Sequence, residues 1–157
     1  MKKFWTFVFA IIISFIPGMI GVLFTPHGAS NVWYNALAKS ALTPAGWVFS
    51  VAWTILYLLL GIALYLVIEN DNKRINKSNA YWLFVGQMAL NALWSYVFFG
   101  AHMPALALLV LAMLIVVSIY LARSFHRINK AAGYLVWPYI IWMCFATYLN
   151  ATIMIMN

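Results

Sequence analysis

The chain has 157 residues, of which 67% are hydrophobic and only 7% are charged. Soluble domains carry roughly 25% charged residues, so this composition excludes a water-soluble globular protein and indicates an integral membrane protein surrounded by lipid. The net charge of +7 does not indicate a nucleic-acid partner, because the basic residues lie in short breaks between apolar segments.

Five apolar segments predict an all-α bundle of five transmembrane helices that forms a single domain over residues 1–157. Each has close to the roughly 20 residues that a helix needs to cross the hydrocarbon core, and none contains a charged residue. Lys2 and Lys3 precede the first segment as in a secretory leader, but this run is longer than a usual leader and lacks a small-residue cleavage site, so a retained helix is expected. The predicted helices cover residues 4–24, 46–68, 80–99, 104–122 and 132–156.

The basic residues predict an orientation in the membrane. With five crossings the two termini lie on opposite sides, and the positive-inside rule then places the N-terminus in the cytoplasm and the C-terminus outside a bacterial cell membrane. Of the nine basic residues, only Lys39 falls on the outer side. The cytoplasmic side receives Lys2, Lys3, Lys73, Arg74, Lys77, Arg123, Arg127 and Lys130.

The connection 25–45 is long for a compact domain, and connections of this length are often lids or binding loops. We therefore predict that it covers a ligand pocket on the outer side. The other connections are predicted to be a polar turn at 69–79, a tight hairpin at 100–103 and a basic turn at 123–131.

Groups for acid–base or metal chemistry are scarce. The only acidic residues, Glu69 and Asp71, share one predicted cytoplasmic turn, so no pair of carboxylates is available inside the bundle. His27, His102 and His126 fall in three different connections, which argues against a metal site. No cofactor is required by anything in the sequence, and no catalytic residue can be assigned firmly.

Three of the predicted helices place aromatic or polar side chains at helical spacing on one face. Amides at membrane depth must face protein or a cavity, since lipid offers them no partner. Two explanations remain open, an interhelical hydrogen bond or a pocket with aromatic walls for a planar apolar ligand. The faces consist of Phe49, Trp53 and Tyr57 in the second helix, Gln87, Asn91 and Ser95 with the adjacent Trp94 in the third, and Trp142, Ala146 and Asn150 in the fifth.

Four blocks in sequence order carry a resemblance to a known family. They read WYNALAK at 33–39, PAGWVF followed by AWTILY within 44–57, LNALW followed by FFG within 90–100, and WPYIIW followed by FATYLN within 137–150. In these blocks the chain resembles the TspO/translocator protein family, also called tryptophan-rich sensory proteins or peripheral-type benzodiazepine receptor homologues. The resemblance covers nearly the whole chain.

The resemblance implies a five-helix bundle, commonly a homodimer, that binds porphyrins such as protoporphyrin IX or haem and benzodiazepine-type ligands. Lys39 would then be the nearest fixed positive charge for a porphyrin carboxylate. Some members bind cholesterol, but residues 149–157 lack the Tyr and the Lys or Arg of the recognition pattern, so cholesterol is not expected here. The implied ligand-binding residues are Tyr34, Phe49, Trp53, Tyr57, Asn91, Trp94, Ser95, Trp142, Ala146 and Leu149.

The leading hypothesis is a membrane-embedded binding protein or sensor for porphyrins and haem-pathway intermediates, involved in tetrapyrrole regulation or a stress response. One alternative is a facilitated transporter of porphyrins or other hydrophobic ligands. Another is a light-dependent porphyrin-degrading enzyme, for which the resemblance implies a photochemical role for Trp53 and Trp142. Small residues on the third helix, Gly86, Ala89 and Ala92, suit either close packing within one chain or a dimer contact.

Overall fold

The structure is a computed structural model that describes residues 1–25, 32–72 and 76–157. Five helices in this part of the chain are long and apolar enough to cross a membrane, which confirms the predicted all-α bundle. A short helix, α2, lies in the connection between the first two of them. The elements are α1 (Lys2–Phe24), α2 (Val32–Ala36), α3 (Gly46–Ile68), α4 (Ser78–Ser95), a π-helical turn (Tyr96–Gly100), α5 (Pro104–Ile128) and α6 (Lys130–Met156).

The predicted boundaries hold for α3, but the basic turn predicted at 123–131 is wrong. Helix α5 continues through Arg123 and Arg127 to Ile128, and only Asn129 separates it from α6. The prediction ended the fourth helix where the apolar run ended, whereas a helical backbone continues into the headgroup region when long cationic side chains can reach water. The side chain of Asn129 accepts a hydrogen bond from the backbone N of Ala132 at 3.1 Å and so caps the start of α6.

The five long helices form a closed ring. Helix α1 packs against α3 and α4, α3 packs against α6, α6 packs against α5, and α5 packs against α4. Small residues set the spacing between neighbours, since a Cβ added at Gly18 would lie 2.6 Å from the Tyr57 ring and one at Gly61 would lie 2.8 Å from Ser14 Oγ. The surface of α1 around Gly18 is therefore occupied by α3.

The two ends of the bundle differ in charge. We call the end that holds Lys2 and the turn after α3 the basic end, and the end that holds α2 and the C-terminus the loop end. Lys77 donates to the backbone carbonyls of Ile68 (3.1 Å) and Asn70, and so closes the end of α3. Lys39 lies at the loop end. Lys73 and Arg74, which are expected on the cytoplasmic side, and His27 lie outside the described residues.

Apolar side chains cover the outside of the ring as well as its interior. Lipid removes the penalty that water would impose on such a surface. At least half of the side chain is exposed for Phe9 on α1, Val51 on α3, Val85 on α4, Leu109 on α5 and Ile141 on α6.

Candidate ligand-binding site

A chain of hydrogen bonds crosses the middle of the ring. The Tyr57 hydroxyl on α3 donates to Asn91 Oδ1 on α4 at 3.2 Å, and Asn91 Nδ2 donates to the Tyr139 hydroxyl on α6 at 2.6 Å. All three residues are buried, and α4 and α6 are not adjacent in the ring. These bonds therefore span the interior, and we call the three residues the tyrosine–amide bridge.

Aromatic rings cover the bridge on its α3 and α6 sides. The Trp53 ring stacks on the Tyr57 ring with centroids 5.3 Å apart and an interplanar angle of 27°, and it lies edge-on to Tyr139 at 6.2 Å. One turn nearer the loop end, Phe49 meets Trp142 edge-on at 5.8 Å. The α3 face predicted from four-residue spacing thus faces the aromatic residues of α6.

A second aromatic group lies nearer the loop end of α4. Trp94 stacks on Phe98 at 5.4 Å and meets Phe99 edge-on at 5.9 Å. Tyr34 of α2 contacts the same two rings at 6.3 Å and 5.7 Å. Phe98 and Phe99 belong to the π-helical turn, whose wider winding is marked by a hydrogen bond from Ala101 N to the carbonyl five residues earlier. Predicted residues Tyr34 and Trp94 are therefore joined through this turn.

Lys39 binds the backbone of residues 34–37, within the connection 25–45. Its ammonium group donates to the backbone carbonyls of Tyr34 at 2.6 Å, Leu37 at 3.1 Å and Asn35 at 3.4 Å, and lies 4.7 Å from the centre of the Tyr34 ring. Cations stabilise the C-terminal end of a helix, where carbonyl groups lack partners. In this conformation Lys39 caps α2, so it is not a free positive charge at the mouth of the site.

Further contacts fasten the same connection to the ends of α6 and α4. The Asn157 amide pairs with both backbone groups of Ala38, at 3.0 Å and 3.1 Å, and Ser40 Oγ lies 2.9 Å from the Tyr148 hydroxyl. The Trp33 ring stacks on His102 with centroids 4.2 Å apart. Trp33, Tyr34 and Leu37 also pack against the buried Val97, Phe98, Ala107 and Ile153, so this part of the connection is seated on the loop end of the helix ring.

The remaining predicted residues are buried in different surroundings. Ser95 faces α1, because its Oγ lies 3.0 Å from the position of a Cβ on Gly21. Ala146 packs in the same core as Trp53 and Trp142, and Leu149 is buried one turn nearer the loop end of α6. The structure thus brings Trp53, Tyr57 and Asn91 together at the bridge. The other predicted residues lie outside it: Phe49 meets Trp142 one turn away, Tyr34 and Trp94 meet at the π-helical turn, and Ser95 faces α1.

Comparison with known proteins decides the family. Residues 8–156 match the TspO/MBR family. The chain belongs to the TspO/MBR family. Together with five helices able to cross the bilayer, this membership identifies an integral membrane protein.

Several relatives align over most of their length. The chain is 35% identical to the tryptophan-rich protein TspO of Chlorobaculum tepidum, covering 99% of this chain and 98% of that protein. It is 35% identical to the tryptophan-rich sensory protein of Cereibacter sphaeroides, covering 90% and 84% respectively. It is 32% identical to the translocator protein of Homo sapiens, covering 79% and 74%. The relatives of this TspO-family protein are thus named as sensory or translocator proteins.

Sequence reasoning did not include Tyr139 among the ligand-binding residues of this TspO-family chain. A signal was present, since Tyr139 lies three residues before Trp142 and seven before Ala146, which is the spacing of one helix face. Gln87 was placed on the inward face, and it is fully buried beside the Tyr139 hydroxyl, with no well-formed hydrogen bond at either amide atom among the described residues. Buried amides ordinarily have partners, so Gln87 is a further candidate for contact with a ligand.

The site of this TspO-family chain offers neutral groups only. The bridge consists of two phenols and an amide, and within the described ranges no three His, Cys, Asp or Glu residues come together in a way that could hold a metal ion. Indole and phenol rings provide flat surfaces for stacking, and the amide provides one oriented donor and acceptor. Such an arrangement suits recognition of a flat, largely apolar molecule.

Proposed function

We propose that this protein is a membrane-embedded binding protein and sensor for porphyrins, such as protoporphyrin IX or other haem-pathway intermediates. The observation that carries the proposal is the stacking of the Trp53 ring on Tyr57, whose hydroxyl donates to the buried Asn91 amide inside the ring of helices. A porphyrin is a flat aromatic ring with polar nitrogen atoms at its centre, and stacking together with one amide contact matches both features.

The charge distribution supports one orientation of the ligand. Among the described residues, no charged side chain lies in the interior around the bridge, and burial of an unpaired carboxylate there would be costly. The porphyrin ring would lie among α3, α4 and α6, and its carboxylates would remain at the loop end. The connection 25–45 would act as the lid. Lys39 would be available to a porphyrin carboxylate only after its ammonium group releases the backbone carbonyls at the end of α2.

A titration with protoporphyrin IX tests this proposal. The porphyrin absorbance spectrum serves as the readout, because substitution of a tryptophan would alter a fluorescence signal by itself. We expect Trp142→Phe and Asn91→Ala each to raise Kd by about tenfold, since each removes one stacking or hydrogen-bonding contact. Trp82→Phe is the matched control, because Trp82 is 73% exposed on the outer surface of α4. Unchanged affinity in both site variants would refute the proposed pocket.

Facilitated movement of the ligand is a second candidate, favoured by a groove on the membrane-facing surface between α3 and α6. The groove has a volume of about 340 Å³ and is lined entirely by apolar or aromatic residues, among them Pro138 and Trp142. Trp142 also meets Phe49 edge-on at 5.8 Å, so this side chain belongs both to the groove and to the predicted ligand-binding residues. A hydrophobic ligand could pass laterally at this point. Porphyrin flux into liposomes above that of empty vesicles would establish transport, and binding without flux would exclude it.

Illumination distinguishes binding from light-dependent degradation. If the protein only binds porphyrin, the absorbance of the complex should decay under light no faster than that of free porphyrin in the same detergent. A new absorbing product that disappears in Trp53→Phe would instead establish the photochemical activity. Indole is oxidisable, and Trp53 is the tryptophan stacked within the bridge region.

We further propose a homodimer formed through α4. A Cβ added at Gly86 would meet no heavy atom within 4 Å, and Ala89 is exposed, so this small-residue face is not used for packing within the chain. Crosslinking of Ala89→Cys in a Cys144→Ser background should give dimers, whereas Leu109→Cys on the exposed face of α5 should not. Absence of dimers from Ala89→Cys would contradict the interface.

A further inference from the structure

A basic, aromatic groove lies on the outer surface where α5 and α6 meet at the basic end. Its volume is about 350 Å³. It lies on the exposed face of α6, turned away from the buried Tyr139 of the tyrosine–amide bridge, and opens to the membrane rather than to the interior of the ring. The residues lining it are Ala122, Arg123, His126, Arg127, Tyr134 and Trp137.

The close approach of the two helices shapes this groove. A Cβ added at Gly133 would lie 2.5 Å from His126 Cβ and 2.9 Å from the carbonyl oxygen of Ala122, so α6 presses directly on α5 here. Arg123 and Arg127 follow each other at one-turn spacing along α5, and His126 meets Tyr134 of α6 edge-on at 5.1 Å. The two guanidinium groups therefore line one wall and the aromatic residues of α6 line the other.

The arginines have no acidic partner in the described structure. Both are exposed, and Arg123 lies 6.0 Å from the Tyr120 ring without an ion pair to either acidic residue. The groove also has a defined depth, because Trp137 lies seven residues into α6, or about 10 Å at 1.5 Å per residue. It therefore extends from the level of lipid phosphates to the upper part of the acyl chains, where Trp and Tyr are typically found.

We propose that this groove binds one anionic phospholipid. Arg123 and Arg127 would hold the phosphate through charge-assisted hydrogen bonds, and the acyl chains would lie along Trp137 and the apolar surface of α5 and α6. The phosphate of a zwitterionic lipid has the same acceptors, but its ammonium group would face two guanidinium groups and a histidine. The site is separate from the proposed porphyrin pocket and does not depend on it.

Native mass spectrometry of the full chain in detergent tests the proposal. The protein is titrated with phosphatidylglycerol or with phosphatidylcholine of the same acyl chains, and the fraction carrying one lipid gives an apparent Kd. We expect tighter binding of phosphatidylglycerol and a loss of about tenfold in the Arg123→Gln/Arg127→Gln double variant. Lys2→Gln/Lys3→Gln removes the same charge at the same end outside the groove, and should change Kd by about twofold or less.

Each alternative outcome would overturn the proposal. Equal losses in the two double variants would mean diffuse attraction to the basic end rather than a site. Equal affinity for the two lipids would mean that the negative headgroup is not recognised. Displacement of the lipid by excess inorganic phosphate would mean a site for a free anion. Both arginines are exposed, so the variants should keep their helical circular dichroism and the comparison stays valid.

Discussion

The basic end and the loop end of the bundle both consist mainly of apolar residues, but they differ in how completely their large side chains are buried. Toward the basic end, small and branched side chains interlock, and Leu60, Phe125 and Val136 are completely buried. Toward the loop end, wide rings such as Trp94 and Trp142 are only partly buried and pack against other aromatic rings. Together with the proposed pocket, this difference predicts that substitutions toward the basic end mainly change stability, whereas substitutions at the pocket mainly change ligand affinity.

The largest expected effect is on stability in the basic half. Gly133→Ala should lower the free energy of unfolding by about 1–3 kcal/mol, because the added Cβ would clash with backbone atoms of His126 and Ala122 that cannot move aside. Thermal unfolding in detergent, followed by size exclusion, measures it. Gly86→Ala is the matched control, since its Cβ enters open space and a helix favours alanine. Equal unfolding temperatures for the two variants would show that the contact at Gly133 is unimportant.

The next prediction separates stability from binding beside the tyrosine–amide bridge. Gln87→Leu should raise the free energy of unfolding of the ligand-free protein by about 1 kcal/mol, because it removes a buried amide that makes no well-formed hydrogen bond, while weakening porphyrin binding.

Asn91→Leu, one turn away, is the comparison for Gln87→Leu. Asn91→Leu should lower both the free energy of unfolding and the affinity for porphyrin, because it removes the amide that bonds the hydroxyls of Tyr57 and Tyr139. Thermal unfolding and porphyrin titration of the same samples measure both effects. A loss of stability in Gln87→Leu would mean that its amide does contribute to the ligand-free fold.

A smaller effect is expected where the connection 25–45 is fastened. Lys39→Met removes the cap of α2 and should speed porphyrin dissociation by about fivefold, with little change in the unfolding temperature of the helix ring. Stopped-flow displacement of bound porphyrin measures the rate. Lys130→Met removes an equal charge at the basic end and should leave the rate unchanged. Matching rates in the two variants would show that this connection does not control release.

The smallest prediction concerns pH. Burial raises the pKa of the Tyr34 phenol above its ordinary value of 10.0, so the docked connection favours the neutral form. This contribution to docking is fully present below the ordinary pKa and is lost as the pH rises above it. Porphyrin dissociation should therefore become faster above about pH 10, and Tyr34→Phe should remove that component. Identical pH profiles for the two proteins would contradict the docking role of Tyr34.

Much of the architecture could be predicted from the sequence. Bilayer thickness sets the length of each apolar segment, and lipid leaves helices as the only regular structure for such segments, so five helices followed directly. The inward faces of α3 and α4 were also readable, because amides such as Gln87 and Asn91 have no partners in lipid. The continuation of α5 through Arg123 was not readable from hydropathy, which detects the hydrocarbon core and not the end of a helix.

The sequence by itself therefore determined the number of helices, the charge asymmetry of the two ends and the faces that point inward. Only the tertiary structure decided the order of the helices in the ring, which brings Tyr139 of α6 to Asn91 of α4. It also showed that Lys39 donates to the backbone of its own connection. Periodicity assigns a residue to one face of its own helix because that depends on local geometry. Which helix packs against that face depends on contacts between distant segments, and residue spacing within one segment cannot predict those contacts.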